Sequence, residues 1–436
     1  MTTPKVNSNI ISNIEYPNSK KWDVSNNLVT LDFKNVSSSV VNAIRRTIIS
    51  QVKSAGFRTE PYEKCQVEIL QNDTPLHNQF MTHRIGMIPI NIPNVDTFDF
   101  DDYEFILDVN NTTNFPKDIT TKDIKIRKVS EDRILNEKET RTLIPPDPNS
   151  GDYVLISRLK PKYYKYAQIN NETVDSIRKE LGDGQVANTL RFYMKAKCCS
   201  SNGEENGSFN PSCAAFYINK VDENKAKIAE KEYVDVETEK YVKNNLKPLT
   251  ESELQKRFRT SHYARYFHTD KNGEPNWFTF TVESVGVIPP LVLIHRSLNI
   301  LKSKVQDLKH NLSIGDESKV EISPSPELVN GFLIVIDKED DTLGNLVQTH
   351  LSNLYANYTS TDRILNYIGY VRQHPLIHKI NMTIQPKIEM KWEAIMDNVI
   401  SPGCASIIKL LNKMIKEIED SPQFMQEMKR VKSNTL

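Results

Sequence analysis

Residues 40–51 read VVNAIRRTIISQ, an apolar helical pattern into which one asparagine and two arginines are set. The serines at 37–39 provide a natural N-terminal turn for such a helix. At about 100° per residue, four apolar side chains fall within about 80° of one another and predict a buried stripe. These side chains are Val41, Ile44, Ile48 and Val52.

The polar residues of this helix do not share the stripe. Arg45 lies at its edge, and Asn42 and Arg46 lie well off it. The helix alone is compatible with a catalytic patch, a phosphate clamp or a protein interface. An arginine at such an edge either snorkels to solvent or offers a fixed guanidinium fork to the carboxylates or carbonyls of a partner.

Length and charge narrow the class of protein. The 436 residues are enough for two or three domains, each with its own core. The formal net charge is zero, which argues against a protein that mainly binds nucleic acid through counterion release. Five cysteines without framework spacing predict a reducing compartment and no disulfide. Because no signal peptide and no apolar run of about 18 residues is recognisable, we expect a soluble, intracellular chain with no membrane partner.

Strand-to-helix units recur along the chain. A strand at 28–33 precedes the first helix, and a strand at 277–285 precedes a helix that begins near Pro290. After a predicted linker at 313–327, a strand at 331–337 leads into the helix DDTLGNLVQTHLSNLY, residues 340–355. Asp341 or Thr342 is the predicted N-cap of that helix. Further helices are predicted from about 391 to the end, with a break at 401–403 (SPG).

The first and third helices share a short internal repeat. Residues 41–46 (VNAIRR) align with residues 344–349 (GNLVQT), which brings Asn42 into register with Asn345. Leu346 and Val347 then correspond to the apolar residues of the first helix. Two modules that each expose an apolar helix face can bury those faces against one another. We therefore predict an α+β fold, a pseudo-dimer of two related modules in one chain with a strand-rich domain inserted in the first.

The predicted boundaries follow from changes in sequence texture. Residues 1–95 and 268–315 form the larger module, 96–267 the inserted strand-rich domain, and 316–436 the smaller module.

Motifs that carry chemistry are missing from the sequence. It contains no P-loop, GxSxG, HExxH or GxGxxG motif and no aspartate cluster for two-metal polymerisation. His374 and His378 flank Pro375, which disfavours a helical two-histidine metal site. Cys198, Cys199 and Cys213 have an unusual spacing and lack a fourth zinc ligand nearby. We predict no catalytic residue, cofactor or metal, and leave open whether the basic and aromatic stretch at 158–166 contacts RNA.

Two pairs of segments carry a resemblance to a known family. Residues 33–50 (FKNVSSSVVNAIRRTIIS) and 72–90 (NDTPLHNQFMTHRIGMIPI) resemble the third-largest subunit of eukaryotic RNA polymerase II, which is related to the archaeal D protein and the bacterial alpha subunit. Residues 340–351 (DDTLGNLVQTHL) and 367–385 (YIGYVRQHPLIHKINMTIQ) resemble its small partner, the eleventh subunit or archaeal L protein. The modules would then be alpha-subunit-like dimerisation modules.

The resemblance implies a noncatalytic platform on which the largest and second-largest polymerase subunits assemble. The helix with Arg45 and Arg46 would face the second-largest subunit, small zinc-binding subunits would dock beside it, and DNA and RNA would be contacted only through the complex. Many relatives hold a metal in a cysteine cluster of the inserted domain, which this sequence lacks between 96 and 197. The motif residues then predict a subunit interface: Asn42, Arg45, Arg46, His83, Arg84, Gly86, Thr342, Leu343, Gly344, Asn345, His374 and Pro375.

A fusion of the two subunits resembles the polymerases of large DNA viruses. That resemblance implies a virion and cytoplasmic viral-factory location, whereas a cellular protein would be nuclear. The alternative hypothesis is a stand-alone nucleic-acid-binding or hydrolytic protein that reuses the fold.

Overall fold

The computed structural model describes residues 9–17, 26–113, 115–161, 189–244, 249–316, 318–356 and 363–433. The strands of these residues are β1 (Ile11–Glu15), β2 (Leu28–Lys34), β3 (Ser54–Gly56), β4 (Val67–Asn72), β5 (Tyr103–Asn111), β6 (Lys117–Thr120), β7 (Ile124–Lys128), β8 (Arg133–Ile134), β9 (Leu155–Leu159), β10 (Leu190–Lys197), β11 (Cys199–Ser201), β12 (Ser212–Asn219), β13 (Trp277–Ser284), β14 (Val320–Pro324), β15 (Phe332–Asp337), β16 (Leu365–Val371) and β17 (Lys379–Pro386).

The helices, in chain order, are α1 (Ser38–Ser50), α2 (Asn78–Gly86), α3 (Glu137–Leu143), α4 (Glu223–Lys243), α5 (Glu251–Ser261), α6 (Pro290–Ile314), α7 (Asp341–Tyr355), α8 (Trp392–Ile395), α9 (Ser401–Glu419) and α10 (Pro422–Ser433). The mixture of helices and sheets confirms the predicted α+β class.

Two four-stranded antiparallel sheets have the same strand order. The first is β1-β2-β13-β12 and the second is β14-β15-β17-β16. In both, the first two strands form a neighbouring pair, the fourth strand lies beside the second, and the third strand lies at the edge. A helix follows the second strand and another follows the fourth: α1 and α6 in the first module, α7 and α8–α9 in the second. The repeat of connectivity therefore extends far beyond the six aligned residues of the sequence.

The apolar stripe of α1 packs into a core shared by both modules. Val41, Ile44, Ile48 and Val52 are at most 1% exposed and belong to one hydrophobic cluster with Leu346 and Val347 of α7. Helices α6 and α9 contribute to the same cluster. Because a fully buried aliphatic side chain contributes about 1.5–3 kcal/mol, the modules stabilise each other through this core.

Two glycines allow the second module to pack closely. A Cβ atom on Gly344 would lie 2.7 Å from Cδ2 of Tyr370, so only glycine lets α7 approach the ring on β16. A Cβ on Gly403 would overlap Cδ2 of Leu351, which fixes the contact between α9 and α7. The aligned glycine of the repeat therefore serves packing within the chain.

The predicted helix break at 401–403 is wrong. A π-helical turn, Met396–Ile400, joins α8 to α9, and Pro402 lies in the first turn of α9. The wider turn accommodates a proline that lacks an N–H donor. The resulting run, Trp392–Glu419, is long and apolar enough to cross a membrane by length and composition. Its buried stripe, which includes Ile407 and Leu411, instead packs in the shared core.

The strand-rich domain that the sequence predicts as an insertion does not coincide with residues 96–267. Its five-stranded sheet has the order β4-β10-β5-β7-β8, so β4, which precedes residue 96, belongs to it. Strand β12 pairs with β13 and belongs to the first module, although it lies inside the predicted range 96–267. Helices α4 and α5 lie in the connection between β12 and β13. A second hydrophobic cluster, with Phe57, Phe105 and Phe192 at its centre, fills the inserted domain.

Part of the predicted linker 313–327 forms a strand. Residues 320–324 of the predicted linker form β14, an edge strand that pairs with β15. The N-cap of α7 is Asp340, whose carboxylate accepts a hydrogen bond from the Thr342 N–H at 3.0 Å. Asp341 and Thr342, the predicted caps, lie inside the first turn.

A buried carboxylate attaches the C-terminal helix to the first module. Glu427 of α10 is 3% exposed and accepts hydrogen bonds from the Leu291 and Val292 N–H groups at 2.9 and 3.1 Å, and from the Tyr16 hydroxyl at 2.7 Å. It therefore supplies the acceptor that the N-terminal turn of α6 lacks locally. Burial raises the pKa of Glu427 to about 7 despite these donors.

Glu427 should make stability depend on pH. Because its folded-state pKa lies above the unfolded value of 4.5, its contribution is complete below about pH 4.5 and is lost as the pH rises through about 7. The wild type should lose stability over this window, by at most about 1.4 kcal/mol per pH unit from this group. Glu427→Gln keeps an acceptor and should show a flatter profile of Tm against pH. Identical profiles would contradict the assignment.

Candidate docking site

Arg46 forms hydrogen bonds to the second module at the partly exposed edge of the shared core. Its Nε donates to Oγ1 of Thr342 at 2.8 Å and its Nη2 donates to Oδ2 of Asp340 at 2.9 Å. Thr342 in turn donates to Asp340 at 2.9 Å. Burial raises the pKa of Asp340, but the hydrogen bonds from Arg46 and Thr342 outweigh it and leave the pKa below its usual value. One of the two arginines is therefore engaged within the chain, a contact that the sequence did not predict.

The direction of α1 against α7 follows from these contacts. Arg46, near the end of α1, meets the beginning of α7, while Ser37 and Ser38 share a cleft with Thr349 and Asn353 near its end. The two repeated helices thus run antiparallel.

Arg45 has a different environment. Its Nε donates to Oδ1 of Asn42 at 3.0 Å, one turn earlier on α1. Within the described residues its guanidinium makes no ion pair, and the side chain is partly exposed. In the second module the equivalent asparagine, Asn345, accepts from Thr349 at 3.0 Å. The asparagines of the repeat therefore hold helix side chains, and only the first module presents a cation there.

The α7 residues of the predicted interface lie largely inside the chain. Leu343 is 1% exposed and Gly344 faces Tyr370, so an external interface is wrong for these two. Thr342 is also buried and has both its hydroxyl roles occupied.

A turn that the sequence analysis did not single out joins several motif regions. In residues 202–206, the Glu204 N–H donates to the Ser50 carbonyl at the end of α1 at 2.8 Å. Oε1 of Glu204 lies 3.7 Å from Nδ1 of His378 in the turn after β16. A Cβ on Gly203 would overlap the Ile49 carbonyl oxygen, so glycine is required for this close approach. The sequence feature that could have predicted this turn is the pair of glycines with asparagines in SNGEENG, residues 201–207.

The same turn connects to the end of α2. Arg58 makes two hydrogen bonds to Glu205, at 2.7 and 3.0 Å. Asn206 donates to Glu60 at 3.4 Å, and Glu60 lies 3.0 Å from Nε2 of His83. The 202–206 turn thus contacts α1 and lies close to the His83 region and to His378 of the second module. We call the surface around this turn the docking surface, because it is our candidate for the predicted subunit interface.

Two other motif residues near His83 face the inserted domain. Arg84 donates to the backbone carbonyls of Ile156 and Leu155 at 2.6 and 2.9 Å. A Cβ on Gly86 would lie 3.0 Å from Cγ2 of Thr59. Both therefore hold α2 in place.

His374 and Pro375 form the turn between β16 and β17. Nδ1 of His374 accepts from the Leu376 N–H at 3.1 Å, and Arg372 donates to the carbonyls of Pro375 and Ile377. The turn exposes Leu376 by 82%. The apolar side chain of Leu376 therefore lies on the same turn as His378, the residue close to Glu204.

The cysteines do not converge. Cys198 is buried in the inserted domain, where burial raises the pKa of its thiol to about 12, whereas Cys213 is exposed on β12 of another sheet. Among the described residues, no group of three His, Cys, Asp or Glu side chains is placed to hold a metal ion. In the basic stretch 158–166, Arg158 pairs with Asp118, and residues 162–166 lie outside the described residues.

Comparison with known proteins decides the family. A profile of the RNA polymerase Rpb3/Rpb11 dimerisation domain matches residues 30–305. The chain belongs to the Rpb3/Rpb11 dimerisation-domain family. The match begins in β2 and ends in α6, so it spans the first module with its insertion and stops before the second sheet.

Curated relatives agree with this family. The chain is similar to the DNA-directed RNA polymerase II subunit rpb3 of Dictyostelium discoideum, with 23% identity over 314 residues that cover 67% of this chain and 94% of the relative. It is 25% identical over 309 residues to the RNA polymerases I and III subunit RPAC1 of Saccharomyces cerevisiae, which cover 64% of this chain and 82% of the relative. The RNA polymerase subunit Rpo3 of Methanopyrus kandleri is 32% identical over 83 residues, which cover 19% of this chain and 27% of the relative.

Proposed function

We propose that this chain is the noncatalytic assembly platform of a multisubunit DNA-dependent RNA polymerase, on which the two large catalytic subunits assemble for transcription. The observation that carries the proposal is the pair of equally ordered sheets that share one core, in a chain whose first module matches the polymerase dimerisation family. The alternative of a stand-alone nucleic-acid-binding or hydrolytic protein is not favoured by these relatives.

We further propose that the second module is a fused counterpart of the small eleventh subunit. Its strand order and its antiparallel α1–α7 contact support this assignment, and the pair then forms an internal pseudo-dimer. The insertion runs from β3 to β11, residues 54–201, between α1 and β12.

The partners follow from the proposed role. The largest and second-largest subunits would bind directly, small zinc-binding subunits would dock nearby, and nucleic acid would be reached only through the complex. A viral origin, with virion and viral-factory location, is supported by the resemblance of the fused arrangement and stays a prediction.

Purification of the tagged chain from its native source tests the proposed function. We expect both large polymerase subunits to copurify with the 50.1 kDa chain. Recovery of this chain without large polymerase subunits would refute the proposal.

Alanine substitutions of the two neighbouring arginines should have different effects on stability and on capture. Arg45→Ala removes a cation with no ion-pair partner in the described residues, so the free energy of unfolding should change by less than about 0.5 kcal/mol. Capture of the second-largest subunit should fall at least about tenfold. Arg46→Ala leaves the partly buried Asp340 without its cation and should destabilise the chain by about 1–3 kcal/mol. Thermal unfolding and quantitative capture measure the two effects.

Arg127→Ala is the matched control. Arg127 pairs with Asp132 at an exposed site of the inserted domain and should change neither stability nor capture appreciably. If Arg45→Ala captures the second-largest subunit as well as the wild type, Arg45 does not serve the interface.

A further inference from the structure

Two ion pairs join a basic side chain of the first module to a carboxylate of the second. Nη2 of Arg46 on α1 lies 2.9 Å from Oδ2 of Asp340, and Nζ of Lys304 on α6 lies 2.8 Å from Oε2 of Glu339. Both pairs have the same direction, because the first module provides the cation and the second module provides the carboxylate.

The carboxylates of these pairs are largely shielded from water. The side chains of Glu339 and Asp340 are each 18% exposed, and that of Lys304 is 22% exposed. Burial raises the pKa of Glu339, and the pair with Lys304 acts in the opposite sense. Removing the cation from such a pair is costly, because it leaves a desolvated charge without compensation.

The contact between α1 and α7 is charged at one end only. In the register of the internal repeat, Thr349 takes the place of Arg46, and Ser37 takes the place of Asp340. Thr349 and Ser37 line one cleft at the opposite end of the two helices. The end with Arg46 and Asp340 therefore carries an ion pair, whereas the corresponding residues at the other end are neutral.

A pair of two second modules would leave Asp340 without a cation. Thr349, the residue in the place of Arg46, would face Asp340 in both halves of such a pair. A hydroxyl group supplies a hydrogen bond but no charge, so it does not offset the desolvation of a carboxylate. The second module therefore disfavours a second copy of itself.

A pair of two first modules would place Arg46 beside Ser37. Asp270 and Glu274 line the cleft next to Ser37, but both are exposed. Exposed ion pairs contribute little to stability. The first module therefore gains more from the shielded carboxylate of Asp340 than from another first module.

Two histidine contacts also cross between the modules. Nε2 of His295 lies 2.9 Å from Oε1 of Glu419, and Nδ1 of His378 lies 3.7 Å from Oε1 of Glu204. These contacts have opposite directions, and they are ionic only when the histidine is protonated. Selection between modules near neutral pH therefore depends on the lysine and arginine pairs.

We propose that the Arg46–Asp340 and Lys304–Glu339 pairs select the partner of each module, so that a first module binds a second module in preference to another copy of itself. The inference rests on the proposed assignment of the second module as the paired counterpart of the first, and it names the contacts that decide the pairing. Selectivity of this kind arises because a wrong partner leaves charges unpaired.

The experiment reverses the direction of one pair in the full chain. Lys304→Glu combined with Glu339→Lys keeps opposite charges at the two positions and exchanges their modules. This pair is chosen because Asp340 is also the N-cap of α7. A recognition site for a sequence-specific protease, inserted after Gly315, allows the connection between the modules to be cut after the chain has folded.

The cut wild type and the cut exchanged variant are mixed, unfolded in urea and refolded together, and native mass spectrometry counts the pairs. Matched pairs should outnumber mixed pairs by at least about fivefold, and pairs of two like modules should not form. Lys379→Asp with Asp337→Lys is the matched control. It exchanges an ion pair of 3.0 Å inside the second module, so matched and mixed pairs should form in equal numbers.

The uncut chain provides a second measurement that does not depend on refolding of the cut modules. Lys304→Glu and Glu339→Lys should each lower the Tm, and their combination should recover most of the loss. Losses that simply add would reject the inference. Equal numbers of matched and mixed pairs, or pairs of like modules from the cut wild type, would also reject it. Neither measurement involves another polymerase subunit, so the proposed function stands or falls separately, by copurification.

Discussion

Leu346→Ala should lower the free energy of unfolding by about 2–5 kcal/mol and unfold both modules together. Leu346 is fully buried in the cluster that also contains Ile44 of the first module. The truncation leaves a cavity between the modules that rigid neighbours from both sides cannot fill. A mutation in the second module should therefore destabilise the first to the same extent.

Tryptophan fluorescence can report on each module separately. Trp277 lies in β13 of the first module and Trp392 in α8 of the second. In chains where Trp22 and one of these two tryptophans are replaced, denaturant midpoints should coincide and shift together on Leu346→Ala. Leu354→Ala, at an exposed position of the same helix, should change the free energy of unfolding reported by either tryptophan by less than about 0.5 kcal/mol. A Trp277 transition that does not respond to Leu346→Ala would show that the modules unfold independently.

Gly203→Ala should damage the docking surface more than any surface charge change. The added methyl group would overlap the backbone carbonyl of Ile49, and a backbone atom in a helix cannot rotate away. The 202–206 turn must then separate from α1, which breaks the bond from Glu204 to Ser50. We expect a loss of stability of about 1–3 kcal/mol and at least about a hundredfold weaker capture of the large subunits.

Gly207→Ala is a control within the same loop. No atom lies within 4 Å of a Cβ built on Gly207, so this variant should behave as the wild type. Equal capture by the two variants would show that the 202–206 turn does not organise the partner surface. Hydrogen exchange of the Glu204 amide, which donates to the Ser50 carbonyl, can confirm that only Gly203→Ala detaches the turn.

The sequence predicted elements with strong local periodicity well. The stripe of α1, the helix that begins at Pro290 and the alternating strand at 277–285 are all present, because each is encoded within one or two turns or pleats. The assignment of strands to the first module or to the insertion was predicted poorly. Whether β4 and β12 belong to the module or to the insertion depends on pairing with β10 and β13, which lie far away in the chain. No local pattern carries that information.

The candidate site also combines features that the local sequence encodes with features that depend on distant residues. Asn42, Arg45 and Arg46 could be found because they are polar residues set into an otherwise apolar helix, but the helix could not show which arginine faces α7. That choice depends on Asp340 and Thr342, almost three hundred residues later in the chain. The 202–206 turn was missed because a turn has no periodicity, and the need for glycine at 203 arises from Ile49 of another element.

The short connection between α6 and β14 keeps the two modules paired at low protein concentration. Ile314 ends α6 and Val320 begins β14, so the two modules are tethered by a few residues. Their pairing is intramolecular, with an effective concentration set by this tether and independent of the amount of protein present. Two separate chains would dissociate on dilution and could exchange partners. Here the two modules are always present in equal numbers, and the paired surface exists before any other molecule arrives.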